Sequence, residues 1–221
     1  MAVNLELKIP ATTESFYDDS DKSANRSVLD TIMSNYGTYI NNSATISNVP
    51  AEFIQSFIFI ESRGKSDAVS GKAVGLMQVG TNSATDIIIM ENTNKDLSGK
   101  NCLTDGEKDV LRQYLGDRLD TILGFKRGDP TLVVTKADLL NPELNICIGT
   151  IYLSLLMNKV IRYKGKLQME FVVAGYNMGY YAALKLMPKS VDSLMASLNS
   201  TSRDYVLKLV GTNGLLETLI S

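Results

Sequence analysis

The sequence predicts a mainly α-helical protein interrupted once by a glycine-rich excursion. Apolar residues recur at helical spacing along most of the 221-residue chain. Strand signals are few, and only Leu132–Thr135 is strongly β-like. Gly64, Gly71, Gly75 and Gly80 crowd into residues 64–80, which must form a tight irregular loop or a small hairpin.

The elements follow in order. Residues 11–26 are rich in Ser, Thr, Asp and Asn and predict an exposed or weakly ordered arm. Val28, Leu29, Ile32, Met33, Tyr36 and Ile40 then share one helical face, and Asn41 to Asn48 is expected to be a polar loop. Pro50 suits the first turn of a helix that carries Phe53, Ile54, Phe57, Ile58 and Ile60 to Glu61 and ends at Ser62-Arg-Gly64. Residues 81–90 are expected to be helical. Glu107 to Leu123 fits one amphipathic helix through Val110, Leu111, Tyr114, Leu115, Leu119 and Ile122. Pro142 opens a strong helix to about Val160, and shorter helices are expected over 167–176, 180–187, 190–198 and 202–210. Gly211 and Gly214 break the pattern before a last segment, 215–220.

Composition narrows the chemistry. The chain has no histidine, which excludes Ser-His and Cys-His nucleophile pairs and any imidazole-ligated metal site. Proton transfer would have to come from Asp, Glu, Tyr, Lys or Cys. With 22 Lys+Arg against 24 Asp+Glu there is no basic surplus for phosphates, so nucleic acid is not an expected partner. Cys102 and Cys147 form no C-x-x-C pair; two free or buried thiols are the simpler reading, and a single disulfide between them is the alternative. The first ten residues lack a cationic start followed by an apolar core, so no secretory signal is expected. Apolar runs fall short of the ~20 residues that cross a bilayer, so no membrane insertion is expected.

Glu61 is the most conspicuous carboxylate. It follows Phe57-Ile-Phe-Ile60 directly, and Phe57 and Ile58 lie one turn back on its helix. An apolar setting disfavours the charged carboxylate and raises its pKa, as a general acid near neutral pH requires. The competing reading is a helix-terminal Glu facing water beside Arg63.

Glu61-Ser-Arg-Gly-Lys-Ser-Asp-Ala-Val-Ser70 runs into Gly71-Lys-Ala-Val-Gly-Leu-Met-Gln78, with Glu61 and Gly75 14 residues apart. Asn141-Pro-Glu-Leu-Asn-Ile-Cys-Ile-Gly149 is followed by Tyr152-Leu153; then come Ala174-Gly-Tyr-Asn-Met-Gly179 and Arg203-Asp-Tyr-Val-Leu-Lys208. Four blocks in this order resemble the lytic transglycosylases related to goose-type lysozyme, over roughly residues 49–209. The resemblance implies a lysozyme-like helical domain over 49–221, with the glycine-rich loop or hairpin beside an active-site groove and an insertion at 91–135 that is either a groove flank or a bland surface excursion. Residues 1–48, which the resemblance does not cover, are expected to be an arm and helix that dock a carrier.

Carried over residue by residue, the resemblance implies Glu61 as catalytic acid and base. Ser62 would hold the sugar or the carboxylate. Gly75, Leu76, Met77 and Gln78 would line the groove, with Gln78 offering its amide to an N-acetyl group. Tyr176 and Asn177 would face Glu61, and Tyr205 would hydrogen-bond near it. Plain packing competes for Leu76, Met77 and Tyr205, and a helix C-cap for Asn177.

The implied substrate is the glycan strand of peptidoglycan and the implied product a 1,6-anhydromuramyl end, with no metal and no cofactor. Goose-type lysozymes place an Asp after the Gly-Leu-Met-Gln-Val run; here that position is Gly80. Asp67 and Glu170 remain as other carboxylates, and loop or surface roles are expected for both. Lysozyme-type hydrolysis, in a muramidase or endolysin, is the first alternative. A non-catalytic tail or secretion-apparatus protein on the same fold is the second. The expected setting is a phage virion, with tail or baseplate proteins as partners of residues 1–48; synthesis is expected in the cytoplasm and action on the cell wall.

Overall fold

A computed structural model describes residues 8–96, 98–125 and 133–220. The chain divides into two compact units: residues up to Leu29 together with those from Leu155 onward, and Asp30–Ser154. The divisions fall inside two long helices, α1 (Asp21–Ser47) and α7 (Pro142–Lys164). The described residues are mainly helical, as expected.

In the unit from Asp30 to Ser154, α2 (Ala51–Ser62) starts after Pro50, whose φ of −56° suits a helix entry, and buries Phe53 to Phe59 without a break. It ends where Arg63 takes the left-handed conformation, φ 51°, and donates its N–H to Phe59 O at 2.9 Å. A small antiparallel sheet follows: β1 (Val69–Ser70), β2 (Ala73–Val74) and β3 (Val79–Gly80), in that order. Val74 faces Val69 on one side and Val79 on the other. The predicted glycine-rich hairpin is this sheet, and β3 leads directly into α3 (Thr81–Thr93).

Three expectations in this unit are corrected. The polar run from Asn41 is helix as far as Ser47, not loop. Ile40, Ser43 and Ser47 are buried at helical spacing, and Thr104 Oγ1 donates to Ile46 O at 3.0 Å, so tertiary contacts outweigh weak local propensity. The single helix expected over 107–123 is two, α4 (Asp105–Leu115) and α5 (Arg118–Gly124). Gly116, at φ 53°, takes the break that a residue with a Cβ would resist. The β-like run near 133 forms no strand in its described residues; the N–H groups of Val133 and Val134 lie 3.3 and 3.2 Å from Thr85 Oγ1. Leu132 lies outside the described residues. The short α6 (Lys136–Leu139) then leads to α7.

Helix α7 is long and apolar enough to cross a membrane, but 78% of that stretch is buried inside the protein, as in a core helix. Cys102 and Cys147 are not joined in a disulfide, and burial pushes the Cys147 thiol up.

In the other unit, α8 (Met169–Met178) is buried along Met169–Gly175 and packs on α9 (Tyr180–Leu186), α10 (Val191–Ser197) and α11 (Ser200–Val210). A final helix, α12 (Leu215–Ile220), packs on α11. The arm expected to be exposed or weakly ordered is largely exposed but is tied down: Ala11 N–H donates to Val210 O at 2.8 Å, and Thr212 N–H donates to Glu14 O at 2.9 Å. Glu14 also pairs with Arg203. Helix α1 begins at Asp21, so the arm stops there and the polar residues 21–26 are helical.

Candidate active site

The motif residues fall into two sets, one in each unit. Glu61 is the penultimate residue of α2 and is half-buried. The left-handed Arg63 behind it ends the helix, and its guanidinium stacks 4.5 Å from the centre of the Phe59 ring. Gly64 follows at φ 80°, where an added Cβ would come within 2.9 Å of Ile32, and its carbonyl accepts from Tyr36 Oη at 3.2 Å. Helix α1 thus braces the turn immediately after Glu61.

Ser62 is buried. Its Oγ lies 2.8 Å from Leu76 O and 3.1 Å from Ile58 O, and accepts from the Gly64 N–H at 3.2 Å. The hydroxyl therefore ties the end of α2 to the Gly75–Gln78 turn across 14 residues of sequence.

Asn145, on the second turn of α7, holds that same turn from the opposite side. It is 0% exposed and uses both ends of its amide. Its Oδ1 accepts from Met77 N–H at 2.8 Å, while Nδ2 donates to Val74 O at 2.8 Å and to Leu139 O at 2.9 Å. Gly75 explains why only glycine stands between: a Cβ there would lie 2.4 Å from Asn145 Nδ2 and 2.6 Å from Leu139 O, at a φ of +78°. Gly149, one turn further along α7, receives Met77, whose Sδ would sit 2.5 Å from a Cβ at that glycine.

Leu76 and Met77 have no exposed surface, so their side chains pack inside the unit and do not line an open groove. The packing alternative describes both, because Ser62, Asn145 and Gly149 draw this turn inward. Gln78 is half-buried with φ 47°, and its Nε2 donates to Ala68 O at 3.1 Å and to Gly75 O at 2.8 Å. Its amide hydrogens brace the hairpin. The turn thus presents a rigid backbone next in sequence to β3.

Tyr176 and Asn177 lie in the last turn of α8 and Tyr205 on α11. Tyr176 and Tyr205 are half-buried and Asn177 is exposed. Asn177 Oδ1 accepts from Ser202 Oγ at 2.9 Å, and Ser202 N–H donates to Asn199 Oδ1, the N-cap of α11, at 2.8 Å. The cap of α8 is Gly179 at φ 90°, which donates its N–H to Gly175 O. Asn177 therefore links α8 to α11 and is not the cap residue.

Of the other carboxylates, Asp67 is exposed in its loop and Glu170 is buried at the start of α8, against the surface role expected for it. Among the described residues no cluster of His, Cys, Asp and Glu is placed to hold a metal ion. Sequence reasoning gave no role to Asn145 or Ser202. A signal for Asn145 was present: it is a polar residue inside the apolar run Leu144–Ile148, where an amide must be bonded if it is buried.

No family model matches the chain. It is 26% identical over 181 residues to the membrane-bound lytic murein transglycosylase E of Buchnera aphidicola subsp. Acyrthosiphon pisum (strain APS). The match takes in 81% of this chain and 66% of that protein, just under two thirds of its length. This weak homology supports a relationship to lytic transglycosylases.

Proposed function

We propose that the chain is a peptidoglycan lytic transglycosylase with Glu61 as its catalytic acid and base. The observation that carries the reading is the mounting of Glu61. It is a half-buried carboxylate on the last turn of an apolar helix, whose next residue is bonded to the Gly75–Gln78 turn, itself held by Asn145. Catalysis by one carboxylate depends on holding that group still, because each ångström of misplacement is expensive in rate. The homology to a lytic murein transglycosylase supports the choice of substrate.

In the proposed reaction Glu61 gives its proton to the glycosidic oxygen between N-acetylmuramic acid and N-acetylglucosamine, and the bond from that oxygen to the muramyl C1 breaks. The substrate's acetamido group stabilises the developing cation, the kind of substrate assistance that departs from the two-carboxylate pattern. Glu61, now ionised, removes the proton from the muramyl C6 hydroxyl, and O6 bonds to C1. Glu61 regains its proton, no water is consumed, and a 1,6-anhydromuramyl end is formed. Glycine at position 80 favours this route over hydrolysis, because it offers no carboxylate to activate a water.

Glu61→Gln is expected to abolish clearing of purified cell walls in a zymogram while leaving the circular dichroism spectrum unchanged. Clearing retained by a folded variant would remove Glu61 from the mechanism.

A further inference from the structure

The unit that contains α8 holds a cleft of about 300 Å³ that none of the roles above uses. It is lined by Lys8 and Ala11 from the N-terminal segment, by Lys166, Gln168 and Glu170 around the start of α8, and by Val191 from α10. Glu170 is only 4% exposed, although it is a carboxylate in the first turn of a helix. Burial pushes its carboxyl up, and what favours its charge is its own backbone N–H and, through space, Lys8 and Lys166. Gln168 is the N-cap residue of α8 but makes no cap bond, and its Oε1 is buried without a partner in the protein. A buried acceptor left in that state is destabilising, and a donor brought into the cleft would relieve it.

These groups restrict what can occupy the cleft. A simple anion would be drawn to the lysines but would meet the Glu170 carboxylate. A simple cation would be drawn to Glu170 and Gln168 Oε1 but would meet two ammonium groups. A molecule that carries both charges a few atoms apart satisfies all four residues. We propose that this cleft binds a zwitterionic amino-acid group, whose ammonium is taken by Glu170 and Gln168 and whose carboxylate is taken by Lys8 and Lys166. The volume lies at the small end of ligand pockets, about 300–1,000 Å³, which suits one or two amino-acid residues and not a larger ligand. The source is a free amino acid or a free dipeptide, because either end of a longer peptide carries only one of the two charges. The proposal does not depend on the role of Glu61.

The test is nuclear magnetic resonance titration of the full-length ¹⁵N-labelled chain with D-alanyl-D-alanine, its N-acetyl derivative, its C-terminal amide, and D-alanine. The free dipeptide is expected to shift the amide resonances of residues 166–170, and blocking either end is expected to weaken binding at least tenfold. Binding of D-alanine as well as the dipeptide supports a free amino acid as ligand; binding of the dipeptide alone supports a free dipeptide. Glu170→Gln and Lys166→Ala are each expected to weaken the dipeptide at least tenfold. Lys166 is exposed, so its variant tests the site even if the buried Glu170 tolerates no change. Equal binding of the blocked and free dipeptides would overturn the proposal, as would the absence of any shift.

Discussion

Asn145 is fully buried and makes three hydrogen bonds to backbone groups, one inside the Gly75–Gln78 turn and two beside it, at Val74 and Leu139. Asn145→Ala would leave the Met77 N–H and the carbonyls of Val74 and Leu139 without that partner. Each buried backbone group so orphaned costs about 1–3 kcal/mol, and the expected loss, read by urea denaturation, is at least roughly 3 kcal/mol. A loss below about 1 kcal/mol would mean that water or a rearranged turn replaces the amide. Activity is expected to fall with it, because Ser62 holds Glu61's helix to the same turn. Glu61 was legible as a candidate because its neighbours in sequence supply the apolar helix behind it. That Asn145 needs bonded partners was legible too, but not that Met77 and Val74 supply them, because those two lie 68 and 71 residues away.

At the level of elements, the start of α4 is joined to the end of α1 through a buried acid. Glu107 Oε2 accepts from the Thr104 N–H at 2.7 Å, and the Thr104 hydroxyl accepts from the Glu107 N–H in return. Ser47 Oγ donates to Glu107 Oε1 at 2.6 Å. Burial is the largest influence and pushes the Glu107 carboxyl above its usual 4.5, against the bonds from Ser47 and Thr104. A carboxyl raised in the folded state binds protons more tightly there than in the unfolded chain. Its contribution to stability is therefore fully present below about 4.5 and is lost as pH rises through the raised folded value. Glu107→Gln keeps the shape and one of the two acceptor oxygens but cannot ionise. Urea denaturation from pH 4 to pH 7 is expected to show the variant gaining on the parent chain as pH rises. A constant difference across that range would remove Glu107 from the pH dependence. The splitting of α4 from α5 follows from Gly116, a residue visible in the sequence but outweighed there by the apolar pattern on either side.

At the scale of the whole molecule, the proposed reaction makes a prediction that no single residue makes. Digestion of peptidoglycan in ¹⁸O-labelled water is expected to yield anhydromuramyl ends without label by mass spectrometry; labelled reducing ends would shift the reading to lysozyme-type hydrolysis. The sequence by itself determined the mainly helical class, most helix positions from α2 onward, the glycine-rich hairpin and the candidacy of Glu61. These depend on periodicity, on proline and glycine, and on neighbours within a turn or two. Only the tertiary structure decided that the polar run from Asn41 is helix, that residues 11–14 are bonded to the chain around Val210, and that Leu76 and Met77 are core. It alone exposed the buried carboxyl of Glu170 beside a cleft. The physical reason is the same in each case. Local conformational preferences amount to tenths of a kcal/mol per residue, about 0.7 at most for ordinary residues in a helix. A buried polar group that lacks its partner costs more than that, and the partner is set by the fold, not by the neighbouring sequence.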